Sequence, residues 1–190
     1  MEYYAGISYH LPFNPRTFHM IKLSIPLAAA FLMGACASTP SGPSATAQLV
    51  ATKGNAVSGE VRFTRQGSAV LVAGEVRGLA PNKEHGFHVH DKGDCSSGDG
   101  MSTGGHFNPL AKSHGAHDHS EHHAGDLVSL KADTYGVAKF SYTSTTITVG
   151  EGATDVIGRG LIVHRDPDDF KTQPTGNSGP RLACAVIAKN

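Results

Sequence analysis

Residues 86–126 hold most of the side chains that could bind a metal. The stretch opens with Gly86-Phe87-His88-Val89-His90 and closes with His123-Ala124-Gly125-Asp126, and His106, His114, His117, His119 and His122 lie between. Imidazole is the commonest metal ligand in proteins, and a carboxylate beside it widens the choice toward zinc. The chemistry these residues could do is that of a metal centre, or of two. His88 and His90 have the clearest spacing. Residues two apart on a strand share a face, so Phe87 and Val89 face a core and the two imidazoles lie on the outer wall beneath the long loops. A strand holds such a pair at fixed separation, which suits a site, although an isolated His-x-His is more often two surface histidines. His164 ends the apolar run Leu161-Ile162-Val163 and alone specifies nothing.

The elements that must position these residues are strands. The 190-residue chain is long enough for one domain with a core. Its 23 glycines, 7% aromatic content and lack of tryptophan suit short strands joined by turns better than a helical bundle. Alternation predicts strands over 48–53, 57–64, 69–77, 84–90, 127–130, 138–142, 161–164 and 182–188. In the second, Val57, Gly59, Val61 and Phe63 face one way and Ser58, Glu60, Arg62 and Thr64 the other, and Gln66-Gly67 is the hairpin turn into the third. Eight short strands without a helical period predict an all-β fold, an antiparallel sandwich or barrel. Two long stretches interrupt it, 91–125 and 165–181. Structureless connections of that length are uncommon unless functional. One holds the histidine cluster and the other follows His164.

Residues 1–36 read as a targeting segment, not as part of the fold. Residues 20–36 run from Met20-Ile21-Lys22 through an apolar stretch to Gly34-Ala35-Cys36, the plan of a secretory signal, and the apolar stretch is short for a membrane span. Met20 is a candidate start, with 1–19 left untranslated. Met33-Gly34-Ala35-Cys36 resembles a bacterial lipobox, in which Cys36 is lipidated and becomes the mature N-terminus; the plainer reading is cleavage after Ala35 or Ala37. Residues 37–46, rich in Ser, Pro, Thr and Ala, read as a flexible tether ahead of a domain over 47–190. With Cys36 lipidated or removed, Cys95 and Cys184 remain. In an oxidising compartment that pair forms a disulfide closing a long loop; two unpaired buried thiols are the other reading. Lysine plus arginine matches aspartate plus glutamate at 16 each, so the basic excess expected of a nucleic-acid-binding protein is missing.

Five stretches, in order, resemble the signatures of copper/zinc superoxide dismutase: Gly86-Phe87-His88-Val89-His90; Gly105-His106-Phe107-Asn108-Pro109; His123-Ala124-Gly125-Asp126; Gly158-Arg159 with Val163-His164; and Gly176-Asn177-Ser178-Gly179-Pro180-Arg181-Leu182-Ala183-Cys184. The resemblance covers most of 47–190. It implies a flattened eight-stranded Greek-key barrel, a β-sandwich architecture. Residue by residue it implies copper at His88, His90, His106 and His164, and zinc at His106, His114, His123 and Asp126, with His106 as a bridging imidazolate. The spacing to Gly125-Asp126 favours His123 over its neighbour His122. Asp168 matches the carboxylate that links a copper ligand to a zinc ligand, Arg181 the arginine that overhangs copper and attracts the anionic substrate, and Cys95 and Cys184 the intrasubunit disulfide. His117, His119 and His122 have no counterpart. Residues 165–181 are short for the substrate-guiding loop of the familiar eukaryotic members, and Lys171 is a candidate helper.

The implied activity is disproportionation of superoxide to dioxygen and hydrogen peroxide, with His106 taking up and returning a proton and zinc acting structurally. The rival reading is a periplasmic copper/zinc buffer or metal donor without catalysis. Asp168, Arg181 and a shared His106 disfavour it, since a sink needs none of them. A lipidated Cys36 would hold the protein on an envelope membrane facing the periplasm, and Ala37 after it, by resemblance to sorting rules, points to the outer membrane. A copper-loading partner is possible, and monomer and homodimer both remain open.

Overall fold

The computed structural model describes residues 42–190. The expected targeting segment, Cys36 and the first part of the tether lie outside the described residues. Among the described residues the strands are β1 (Ser44–Ala51), β2 (Ser58–Gln66), β3 (Ala69–Arg77), β4 (Glu84–His85), β5 (Phe87–His90), β6 (Leu130–Lys131), β7 (Ala138–Ser144), β8 (Gly160–His164) and β9 (Arg181–Lys189), with a 3-10 turn at Met101–Thr103. Seven form one antiparallel curled sheet in the order β5-β8-β9-β1-β2-β3-β7, and β4 pairs with β6. The neighbours β3-β7 and β9-β1 are far apart in sequence, so the chain crosses over between them, as the expected Greek-key fold requires.

The two-residue period places the core. Val61 and Phe63 of β2, Val70, Val72 and Val76 of β3, and Phe87 and Val89 of β5 are all essentially sealed, while Glu60 and Arg62 point to water. The hairpin turn falls where expected, at Gly67, whose φ of 63° suits glycine. Most expected strands shift by no more than one or two residues at their ends, and three differ more. β1 begins at Ser44, so residues 44–46, read as tether, pair with both β2 and β9. Ala45 and Ala47 face the core there, and side chains this small leave little hydrophobic signal. The strand expected over 84–90 is divided at Gly86, whose N–H donates to the Asp166 carbonyl and whose carbonyl accepts from His164 N–H. A Cβ at Gly86 would stand 2.6 Å from Ser178 Oγ. The strand expected over 127–130 shrinks to Leu130–Lys131, because Leu127 N–H already bonds the Phe87 carbonyl.

Candidate metal centre

β5 lies at the end of the sheet, paired on one side with β8. Its other side is closed by two pieces of the long loop. Phe107 N–H donates to the Val89 carbonyl, Val89 N–H to the Gly125 carbonyl and Gly125 N–H to the Phe107 carbonyl, each at 2.9 Å. Gly125 must lack a side chain, since a Cβ would run into the Val89 carbonyl. This knitting sets His90 opposite His106 and His88 opposite Asp126. The outer face of β5 is thus sealed beneath the loops, and Phe87, His88, Val89 and His90 are all buried. His164 ends β8 on the same face, beyond Ile162, which pairs with His88.

Two sets of side chains result. In one, His88, His90, His106 and His164 bring nitrogens within 4.8 Å of one another; in the other, His106, His114, His123 and Asp126 do the same with one carboxylate oxygen. His106 belongs to both. Hydrogen bonds fix which nitrogen each ring offers, because a carbonyl or carboxylate can only accept. His90 Nδ1 donates to the Gly104 carbonyl (2.9 Å) and His164 Nδ1 to the Gly179 carbonyl (3.1 Å), which leaves Nε2 of each inward. His88 is reversed: its Nε2 bonds Asp168 Oδ2 at 2.7 Å and its Nδ1 faces the set. Asp168 Oδ1 takes His114 Nε2 at 2.9 Å, so one carboxylate anchors one ring of each set. His106 Nδ1 bonds Asp126 Oδ1 at 2.8 Å and its Nε2 points to the all-nitrogen set.

The donor sets fit metal ions. The inward nitrogens His88 Nδ1, His90 Nε2, His106 Nε2, His164 Nε2, His114 Nδ1 and His123 Nδ1 are buried without a hydrogen-bond partner. His114 Nδ1 and His123 Nδ1 approach Asp126 oxygens at 3.0 and 3.3 Å yet make no hydrogen bond. Buried polar atoms are normally paired. Six that converge at two points are what metal coordination would satisfy: an all-nitrogen set suits copper, and three nitrogens with a carboxylate suit zinc.

The electrostatics divide in the same way. Burial holds His88, His90 and His164 below the ordinary histidine value, and lowers His106 to about 4 against the pull of Asp126. His114 goes the other way. Burial opposes its charge, but Asp126 and Asp168 outweigh that and raise it to about 9. Both carboxylates, despite burial, are held far below the usual range by the imidazoles beside them.

Arg181 stands in the wall of a pocket of about 340 Å³ with His90, His164, Met101 and Asn177. Its guanidinium donates to the carbonyls of Gly100 (2.5 Å) and Gly104 (2.7 Å) and to Thr103 Oγ1 (2.8 Å). The Gly104 carbonyl therefore serves both Arg181 and His90. Cys95 and Cys184 form a disulfide, which ties this loop segment to β9. Lys171, the expected helper, is exposed on the second loop and does not line the pocket. Sequence reasoning missed Gln173, whose side chain accepts from His114 N–H (2.8 Å) and donates to its carbonyl (2.9 Å), and Gly176, whose missing side chain makes room for the Asp168–His114 contact. It also missed His85, buried against the His164 carbonyl. Only the glycine left a signal, inside Gly176-Asn177-Ser178-Gly179.

A curled antiparallel β-sheet carrying two histidine-rich donor sets that share one imidazole is the frame of a protein with room for two metal ions. The family model described as copper/zinc superoxide dismutase (SODC) matches residues 57–187. Superoxide dismutase (Cu-Zn) of Paramecium bursaria Chlorella virus 1 is 42% identical over 137 residues, 69% of this chain and 72% of that protein. Superoxide dismutase (Cu-Zn) 2 of Aquifex aeolicus (strain VF5) is 36% identical over 172 residues, 88% of this chain and 99% of that protein. The crystal structure of the clock protein EA4 superposes with a TM-score of 0.70 at 38% identity, covering 76% of this chain and 93% of that one. The chain belongs to the copper/zinc superoxide dismutase family. It is an oxidoreductase that disproportionates superoxide to dioxygen and hydrogen peroxide, with copper and zinc as its cofactors.

Proposed function

We propose that His88, His90, His106 and His164 hold the copper, that His106, His114, His123 and Asp126 hold the zinc, and that His106 is the shared imidazolate. The supporting observation is the pattern of anchored tautomers: His88, His90 and His164 are each tied through one nitrogen to a carbonyl or carboxylate and present the other to the all-nitrogen set. Bound copper supplies one-electron redox chemistry, and zinc supplies none. Two superoxide anions and two protons give one dioxygen and one hydrogen peroxide. The chain's own residues admit the anion, keep the ligands in place and handle the proton. Arg181 puts a fixed positive charge in the pocket wall beside His90 and His164, which favours an anion there. His106 Nδ1 lies on the Asp126 side and its Nε2 faces the all-nitrogen set, so Nε2 is the atom that would take up and return a proton. Asp168 fixes the rings of His88 and His114 together, so neither can rotate without breaking the other's anchor.

Turnover and metal content measured on one purified sample, beside His164→Ala, test the assignment. The expected result is about one copper and one zinc per chain with fast turnover, and a variant that keeps zinc while losing copper and turnover. A variant that loses zinc and keeps copper would reverse the partition.

We also propose export to the periplasm and attachment to the outer membrane through lipidated Cys36. The Cys95–Cys184 bond supports an oxidising compartment, where disulfides persist. Radiolabelled palmitate should enter the full chain expressed in a Gram-negative host and be absent from Cys36→Ser. An unlabelled wild type would instead mean plain cleavage after Ala35 or Ala37.

A further inference from the structure

Three loop histidines take no part in either ligand set: His117, His119 and His122. His119 is exposed beside Asp118. The other two meet. Their ring centroids lie 5.4 Å apart with planes inclined by 52°. His114 and His123, both in the carboxylate-containing set, lie 5.5 Å apart at 54°. The free pair thus lies as close together as two rings of the carboxylate-containing set do.

The tautomers agree with this. His117 Nδ1 donates to the backbone carbonyl of Asp126 at 2.8 Å, and His122 Nδ1 to that of His123 at 2.6 Å. Each neutral ring therefore keeps its lone pair on Nε2. A ring held through one nitrogen by a backbone carbonyl, with the other free, is in the usual state of a metal-ligating histidine. Among the described residues neither Nε2 has a protein partner, and neither is among the fully sealed, unpaired nitrogens of the buried sets, so each keeps some access to solvent although the His122 ring as a whole is buried. Two neutral imidazoles suit borderline ions and not calcium or magnesium, which take oxygen ligands.

We propose that His117 and His122 form a third, solvent-facing metal site that takes one borderline divalent ion such as zinc, with water completing its coordination. Two protein ligands hold an ion less firmly than four, so this ion exchanges with solvent. His122 adjoins His123, and the site therefore captures metal at the rim of the carboxylate-containing set. This use of the loop lies outside the dismutase reaction and does not depend on which buried set takes which metal.

The test starts from protein with both buried sets filled, dialysed against Zn²⁺ at controlled free concentration, with bound metal counted. Wild type and His119→Ala should take up a third, exchangeable zinc. His117→Ala and His122→Ala should keep the first two ions and bind the third at least about tenfold more weakly, the loss that even an outer partner of a ligand can cause. Absence of a third zinc in wild type, or its survival in both His117→Ala and His122→Ala, overturns the proposal. Because His122 is buried against its neighbours, a second readout uses no variant. An anomalous-scattering map of zinc-soaked crystals should place an ion about 2.1 Å from both Nε2 atoms, and zinc bound at His119 or elsewhere instead overturns the proposal.

Discussion

The two ligand sets share His106 but are built from different material. The all-nitrogen set rides mostly on the sheet: His88 and His90 on β5, and His164 at the end of β8. Two of its rings are anchored to backbone carbonyls, those of Gly104 and Gly179. The mixed set rides on the loop between β5 and β6, and its rings lie against Asp126 and Asp168. Strand geometry places side chains before any metal arrives, whereas a loop must be gathered by charge. The protonation states follow from this. Burial keeps the strand-borne rings neutral, while the loop-borne His114 sits between two carboxylates and holds a proton. Asp168 is the exception that joins the halves, since it anchors His88 in one and His114 in the other.

The largest effect should come from removing that joint. Asp168→Ala frees Nε2 of both His88 and His114, and outer partners of metal ligands are worth about 10- to 100-fold in affinity each. Both metals should be lost together in a chelator competition. If only one falls, the two halves are independent and Asp168 belongs to one of them. A selective break comes next. Cys95→Ser releases the loop segment that carries Gly100, Thr103 and Gly104, and with it the carbonyl that fixes His90. The bond closes a separation of 89 residues, worth about 4–5 kcal/mol in the chain-entropy model. In the folded variant, copper should be held about tenfold less tightly while zinc is retained. Equal loss of both metals would show that the loop unfolds as one piece.

Arg181→Ala should do less. At 4 Å a unit charge is worth about 1 kcal/mol in water and more in a less polar setting, so turnover should fall at least about fivefold and lose much of its salt dependence. Copper should stay bound if the disulfide alone holds Gly104. Arg181→Lys sharpens this, because it keeps the charge but cannot span the Gly100 and Gly104 carbonyls together. Rate recovered by lysine assigns Arg181 to charge; copper lost in both variants assigns it to support of His90.

What the sequence disclosed follows the same strand-and-loop division. Alternation located β2 and β3 and put Phe87 and Val89 in the core opposite His88 and His90, because a two-residue period follows from backbone geometry alone. Nothing in the spacing of His106, His114, His123 and Asp126 shows that they meet. Their convergence depends on Gly125 lying against Val89 and on Gln173, far along the chain, holding the backbone of His114. Only resemblance to a family supplied that grouping. The division of 84–90 at Gly86 was hidden for a related reason: the Gly86 backbone bonds Asp166 and His164, far along the chain, and Ser178 on the second long loop leaves no room for a side chain there. Long-range contacts made through glycine and amide groups leave no periodic trace.

Proton counting tests the comparison most finely. In metal-free protein at pH 7.5, His114 is mostly protonated, since its carboxylate partners raise it to about 9. Zinc needs that nitrogen neutral, so zinc binding should release about one proton. The release should fade as pH rises through about 9, where the ring is already neutral. Copper added alone meets rings that burial has kept neutral and should release almost none. The second metal to bind should expel one further proton, that of His106, which can serve both sets only as an imidazolate. Calorimetry in buffers of different ionisation enthalpy reads each count. A proton released by copper alone would mean that the strand-borne set, too, is gathered by charge. A zinc count that stays level through pH 9 would remove His114 as the proton carrier and with it the contrast between the two halves.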